Sequence, residues 1–79
     1  MVAHSYTFTV LLEADDEDGG FAVHVPALPG CHTEGDTREQ AIAMAQDAIT
    51  VYVESLLLHN EPIPIEPNPA GPVLVTVSC

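Results

Sequence analysis

The sequence predicts an α+β fold, a two-layer β-β-β-α-β domain in which one helix covers one face of a four-stranded sheet. Three features of the 79 residues predict it. Two runs of period-two alternation flank an acidic Gly-Gly turn near the N-terminus. A long stretch with apolar residues three and four apart follows. A valine-alternating run closes the chain. There is no internal repeat and no sign of a second core, so residues 1–79 read as a single domain.

The first strand is Ser5 to Glu13 (SYTFTVLLE), with Tyr6, Phe8, Val10 and Leu12 on one side and Thr7, Thr9 and Leu11 on the other. Asp15-Asp16-Glu17-Asp18-Gly19-Gly20 then turns the chain, since glycine tolerates positive φ and the acids repel one another into solvent. Phe21 to Val25 alternates again, Phe21, Val23 and Val25 inward and His24 outward, which makes a hairpin. Pro26 cannot donate a ladder hydrogen bond and ends that strand. Pro29-Gly30 suits the centre of a type II turn into a short third strand, Cys31 to Gly35. Gly35-Asp36-Thr37 opens a helix: Thr37 is an N-cap, Gln40 three residues on completes a capping box, and Glu39 suits the helix dipole.

The helix is predicted over Arg38 to Leu58. Ala41, Ile42, Ala45, Ala48, Ile49, Tyr52, Val53, Leu56 and Leu57 give it one broad apolar face. Asn60, Pro62 and Pro64 stop it. Ile63 to Pro72, carrying Pro64, Pro67, Pro69 and Pro72, is an extended connector. Val73 to Ser78 is the last strand, with Val73, Val75 and Val77 on one face. One helix covers one face of such a sheet.

Composition narrows the function. Hydrophobic residues make up 47% of the chain, which argues for a globular fold. Twelve acids face one base, Arg38, giving a formal net charge of −11. Nucleic-acid binding needs cations to neutralise phosphates, so this chain alone is not a nucleic-acid binder; its field favours a basic protein partner. The apolar stretch Ile49 to Leu58 is interrupted by Tyr52, Glu54 and Ser55 and reads as too short and polar for a membrane span. No secretory signal is legible at the N-terminus. Cys31 and Cys79 do not form a disulfide framework, and a reducing cytoplasm is the expected location.

No constellation points to catalysis or a cofactor. The acidic turn fails the EF-hand pattern: counted back from Gly19, the first ligand position is Ala14, and the twelfth is Val25. Cys31 and His32 are adjacent on a strand and point to opposite faces, so they do not share a metal. His24 and His32 fall on one face, but two histidines do not close a site. Nothing in the sequence near Cys31 lowers its pKa. Glu39, Asp47 and Glu54 lie on the outer helix face, where solvation explains them. The chain reads as a binding protein and not as an enzyme.

The segment Val23-His24-Val25-Pro26-Ala27-Leu28-Pro29-Gly30-Cys31-His32-Thr33-Glu34-Gly35-Asp36-Thr37-Arg38-Glu39-Gln40-Ala41 resembles the signature of the HicB antitoxin family. The family positions are Pro26, Leu28, Pro29, Gly30, Cys31, Gly35, Asp36, Thr37, Glu39 and Ala41. Ala27 and Gln40 stand where the family often has acids. The resemblance covers about residues 5 to 65. It implies a partial ribonuclease-H-like sheet without catalysis. It also implies a partner: a small basic HicA-type toxin that cuts messenger RNA, whose active site the antitoxin covers. Many members carry a C-terminal DNA-binding module; none is legible after Val73 to Ser78, so operator binding is not expected of this chain. The alternative is a solitary HicB-like domain with another protein-binding or regulatory role.

A homo-oligomer, most simply a dimer, is also expected. The helix leaves one sheet face bare, and Thr7, Thr9, Leu11, Ala22 and His24 make it a mixed surface with few charges. A chain this short has a thin core that self-association would enlarge.

Overall fold

The computed structural model describes residues 5–15, 17, 19–66, 68–71 and 73–78; Asp16 and Asp18 of the acidic turn, Pro67 and Pro72 of the connector, and Cys79 lie outside the described residues. Five elements follow in the predicted order: β1 (Ser5–Ala14), β2 (Phe21–His24), β3 (His32–Gly35), α1 (Arg38–Leu58) and β4 (Val73–Ser78). They form an antiparallel sheet of order β3-β2-β1-β4 with α1 on one face. The bounds of α1 and β4 are those predicted. β2 and β3 each lose a terminal residue to the turn, although the Val25 N–H still donates to the Cys31 carbonyl at 3.1 Å.

The predicted alternation separates core from surface. Phe8 and Val10 from β1, Val23 from β2, and Val73, Val75 and Val77 from β4 are buried beneath Ala41, Ala45, Ile49 and Val53 of α1. Those helix residues recur every four positions, so the buried stripe is narrower than the predicted face. Ile42, Ala48, Tyr52 and Leu56 are half-buried flanks, and Leu57 is exposed because the helix has run past the sheet. By length and composition α1 could cross a membrane, contrary to the reading of its last ten residues. Here its apolar stripe is packed on the sheet.

Caps fix both ends of α1. The Thr37 hydroxyl accepts from the Gln40 N–H at 3.0 Å. The Gln40 side chain reaches one residue further back than a capping box requires and accepts from the Asp36 N–H at 2.7 Å. At the other end Asn60 adopts φ 55°, its N–H donating to the Leu57 carbonyl and that of Glu61 to the Leu56 carbonyl. That is a Schellman closure. Asn60 therefore ends the helix, as predicted, and by geometry that does not need the prolines beyond it.

β1 is shared between two partners. Ser5 to Val10 pair with β4, and Leu11 to Ala14 pair with β2. The Asp15 N–H donates to the Gly20 carbonyl across the hairpin, so by alternation the N–H groups of Leu11, Glu13 and also Thr9 point to the β2 side. At Thr9 β2 has already ended. Glu66 of the connector replaces it: the Thr9 N–H donates to Oε1 and the Thr9 hydroxyl to Oε2, both at 2.7 Å, while the Ala70 N–H donates to the hydroxyl at 3.2 Å. Thr9 is only 9% exposed as a result. Glu66→Ala leaves a part-buried donor unmet and is expected to cost about 1.5–3 kcal/mol, the usual range for a hydrogen bond to a charged group. Glu66→Gln, which keeps an acceptor, should cost less; urea melts of the two variants check this, and equal stabilities would refute the role.

Candidate functional site

The family-like segment from Pro26 to Thr37 builds the corner between the hairpin and α1. Leu28 N–H donates to the Val25 carbonyl and Cys31 N–H to the Leu28 carbonyl, each at 3.0 Å. Gly30 has φ +79°, the positive angle that the third position of a type II turn requires. Leu28 and Cys31 are buried, and the Tyr52 hydroxyl donates to the Pro29 carbonyl at 2.9 Å, tying α1 to the turn. Gly35 lies directly under the first turn of α1, where a Cβ would stand 2.5 Å from the Ala41 nitrogen. Pro26, Pro29, Asp36 and Thr37 are exposed, but their work is conformational: they turn the chain and start the helix.

Cys31 sits in this corner as a packing residue. Cys31 is buried, and burial pushes its thiol above the ordinary value, so at neutral pH it is a protonated core residue. A raised folded pKa favours the thiol form, so its contribution is intact below about pH 8.5, the usual unfolded value, and is lost as pH rises beyond it. Between pH 8 and 10 the melting temperature should therefore fall more for the parent than for Cys31→Ala. Parallel slopes would contradict the assignment. Among the described residues no group of three or more His, Cys, Asp or Glu is placed to hold a metal ion.

What the corner does build is a surface. β3 is an edge strand, and a groove runs between it and α1, lined by Cys31, Thr33, Met44, Ala48, Val51 and Tyr52 with Asp47 at its side. Met44 is 42% and Val51 66% exposed, although both are large and apolar. A second cleft adjoins it through Thr33 and Met44 and is lined by Asp15, Phe21, Gly35, Asp36 and Gln40. Together they make an apolar centre with an acidic margin, the anatomy of a protein-binding surface. The sequence reading placed Ala48 and Tyr52 in the core stripe and passed over Met44 and Val51. Their signal was present, since both are apolar residues left outside the stripe of Ala41, Ala45, Ile49 and Val53.

The bare sheet face is partly as expected. Leu11 and Leu74 are 44% and 50% exposed, and Thr7, Ala22 and His24 stand beside them. Thr9 is not available there, because the connector and Glu66 cover it. Glu13 and Glu34 lie on this face too, by their pairing with Ala22, so it carries more charge than Thr7 to His24 alone suggest.

Comparison with known proteins is decisive for the family. A family model described as "HicB_like antitoxin of bacterial toxin-antitoxin system" matches residues 8–74. The chain belongs to the HicB-like antitoxin family. Within it, the chain is 51% identical over 57 residues to a UPF0150 protein of Thermoplasma acidophilum, covering 72% of this chain and 81% of that protein. It is 44% identical over 61 residues to "Antitoxin HicB 1" of Photorhabdus laumondii, covering 77% of this chain and 39% of that longer protein. The crystal structure of the N-terminal domain of Burkholderia pseudomallei antitoxin HicB superposes with a TM-score of 0.68 at 28% identity, covering 92% of this chain and 96% of that one. A chain from a "HicA3 and HicB3 toxin-antitoxin complex" shares the fold, with a TM-score of 0.58 at 21% identity over 92% of this chain and 94% of that one. The α+β HicB-like fold predicted from the sequence is thus the observed one.

Proposed function

We propose that this HicB-like chain is an antitoxin without catalytic activity that binds a small basic HicA-type toxin and covers its messenger-RNA-cleaving site. The observation that carries this reading is the groove between β3 and α1: an apolar centre at Met44 and Val51, bordered by Asp36 and Asp47 on a chain of net charge −11. A ribonuclease that binds RNA presents cationic side chains, and this margin meets them with the opposite charge while the apolar centre excludes water. Family membership supports the same reading. Both proteins would act in the cytoplasm, where messenger RNA is. The test is co-expression with a small basic protein encoded beside it. Restored growth together with co-purification supports the reading; binding without rescue of growth refutes it.

The second reading is a HicB-like domain with another protein-binding or regulatory role, since an apolar groove with an acidic margin suits basic proteins other than a toxin. Under that reading no neighbouring toxin exists and the same groove takes another basic protein.

Self-association through the bare face belongs to the proposal as well. Leu11 and Leu74, with Thr7, Ala22 and His24 beside them, would meet their copies across a two-fold axis. Light scattering on the parent should give a dimer mass, and Leu11→Glu with Leu74→Glu should give a monomer. A monomeric parent, or a dimer that survives both changes, would place the contact elsewhere or remove it.

A further inference from the structure

On the bare sheet face His24 and His32 stand directly opposite each other across β2 and β3. The Val25 N–H donates to the Cys31 carbonyl, which makes the neighbouring position the hydrogen-bonded one and His24–His32 the non-hydrogen-bonded pair, where side chains approach most closely. The ring centroids are 6.4 Å apart with the planes inclined by 34°. Both residues are exposed, and among the described residues neither ring has a hydrogen-bond partner, so their nitrogens are open to a ligand. His59, by contrast, has its Nδ1 held 2.7 Å from the Ser55 carbonyl.

We propose that His24 and His32 form a bidentate site for a late first-row divalent cation, of the class of Cu(II), Ni(II) or Zn(II). Imidazole nitrogen suits these ions, whereas Mg(II) and Ca(II) prefer oxygen. Metal–nitrogen bonds of about 2.0–2.1 Å in tetrahedral geometry bring two ring centroids to about 5 Å, so each exposed ring turns modestly inward from where it stands. Antiparallel pairing fixes the two strands, which makes the second imidazole an intramolecular ligand at high effective concentration. The net charge of −11 raises the local concentration of any dication. With two protein ligands the site stays open, and its remaining positions are filled by water or by groups from another molecule. It lies on the face opposite α1 and does not depend on the antitoxin reading.

The test is calorimetric titration of the whole chain with Cu(II), Ni(II) and Zn(II) at physiological salt, where diffuse attraction to carboxylates is screened. Saturable binding in the Irving–Williams order, with Cu(II) tightest, is expected. His24→Ala and His32→Ala should each weaken it by about tenfold or more, because each alone destroys the chelate, while His59→Ala should leave it unchanged. Amide spectra with Ni(II) should broaden first around Leu11, His24 and His32. Binding insensitive to both substitutions, or Mg(II) and Ca(II) competing on equal terms, would overturn the site. Because both residues are exposed, the variants are expected to stay folded; unaltered melting curves confirm that the loss is of ligands.

Discussion

Gly35→Ala is expected to lower the stability of this chain by about 3 kcal/mol or more, at the upper end of what an over-packed position costs. The added methyl would meet the backbone of the first turn of α1: the Ala41 nitrogen at 2.5 Å, the Ala41 Cα at 2.7 Å and the Gln40 carbonyl carbon at 2.9 Å. None of these is the flexible end of a side chain, so α1 as a whole must lift off β3. Lifting it also separates Ala41 and Ala45, both fully buried, from the sheet. A domain of this size is stabilised by only about 4–12 kcal/mol, so a large part of the margin goes with one methyl group. Gly30→Ala isolates the other role of glycine. Its site is sterically open, and only its φ of +79° disfavours a side chain, costing about 1–2 kcal/mol. Urea midpoints should rank parent, then Gly30→Ala, then Gly35→Ala. A Gly35→Ala protein as stable as the Gly30 variant would show that α1 is less firmly seated than the contact implies.

Toxin neutralisation should be the property most sensitive to the β3–α1 groove. Met44→Arg with Val51→Arg puts two cations into its apolar centre, at positions exposed enough that the fold should tolerate them. Loss of an interface centre typically exceeds 2 kcal/mol, so the dissociation constant should rise by about thirtyfold or more and growth rescue should fail. Asp47→Lys acts differently, at the margin. Reversal of exposed rim charges slows association, and that deficit should shrink as salt rises. Leu11→Glu on the opposite face serves as the control. Full rescue by the Met44 and Val51 pair would remove this groove from the toxin interface.

The strands and helix were legible because each has a local cause. Phe8 and Val10 alternate with Thr7 and Thr9, Thr37 announces a helix start, and Pro29-Gly30 fits one kind of turn. Thr9 was misread for a reason no local pattern holds: its cover, Glu66, lies 57 residues away and depends on where β2 happens to stop. Leu57 fits the helical period, and only the length of the sheet decides that it stays in solvent. The placement of β4 beside β1 is likewise a tertiary fact. The groove was invisible because exposed apolar residues are recognised by what fails to cover them. Met44 and Val51 look like core residues until the packed helix shows which stripe the sheet has taken.

The division of β1 between two partners sets an order of events. Leu11 to Ala14 pair with a strand that follows within a few residues, whereas Ser5 to Val10 wait for β4 from the far end of the chain. Loop closure over that distance is slow, so the hairpin and α1 are expected to form the early nucleus and β4 with its connector to arrive last. The same boundary is where the native protein is expected to open first. Amides of Ser5 to Val10 that face β4 should exchange with solvent through a partial opening that spares β2 and β3. Held in that opened form, the molecule is a unit of the β1–β2 hairpin, β3 and α1 with Phe8 and Val10 uncovered, and this state, more than the fully unfolded chain, is what a housekeeping protease would meet.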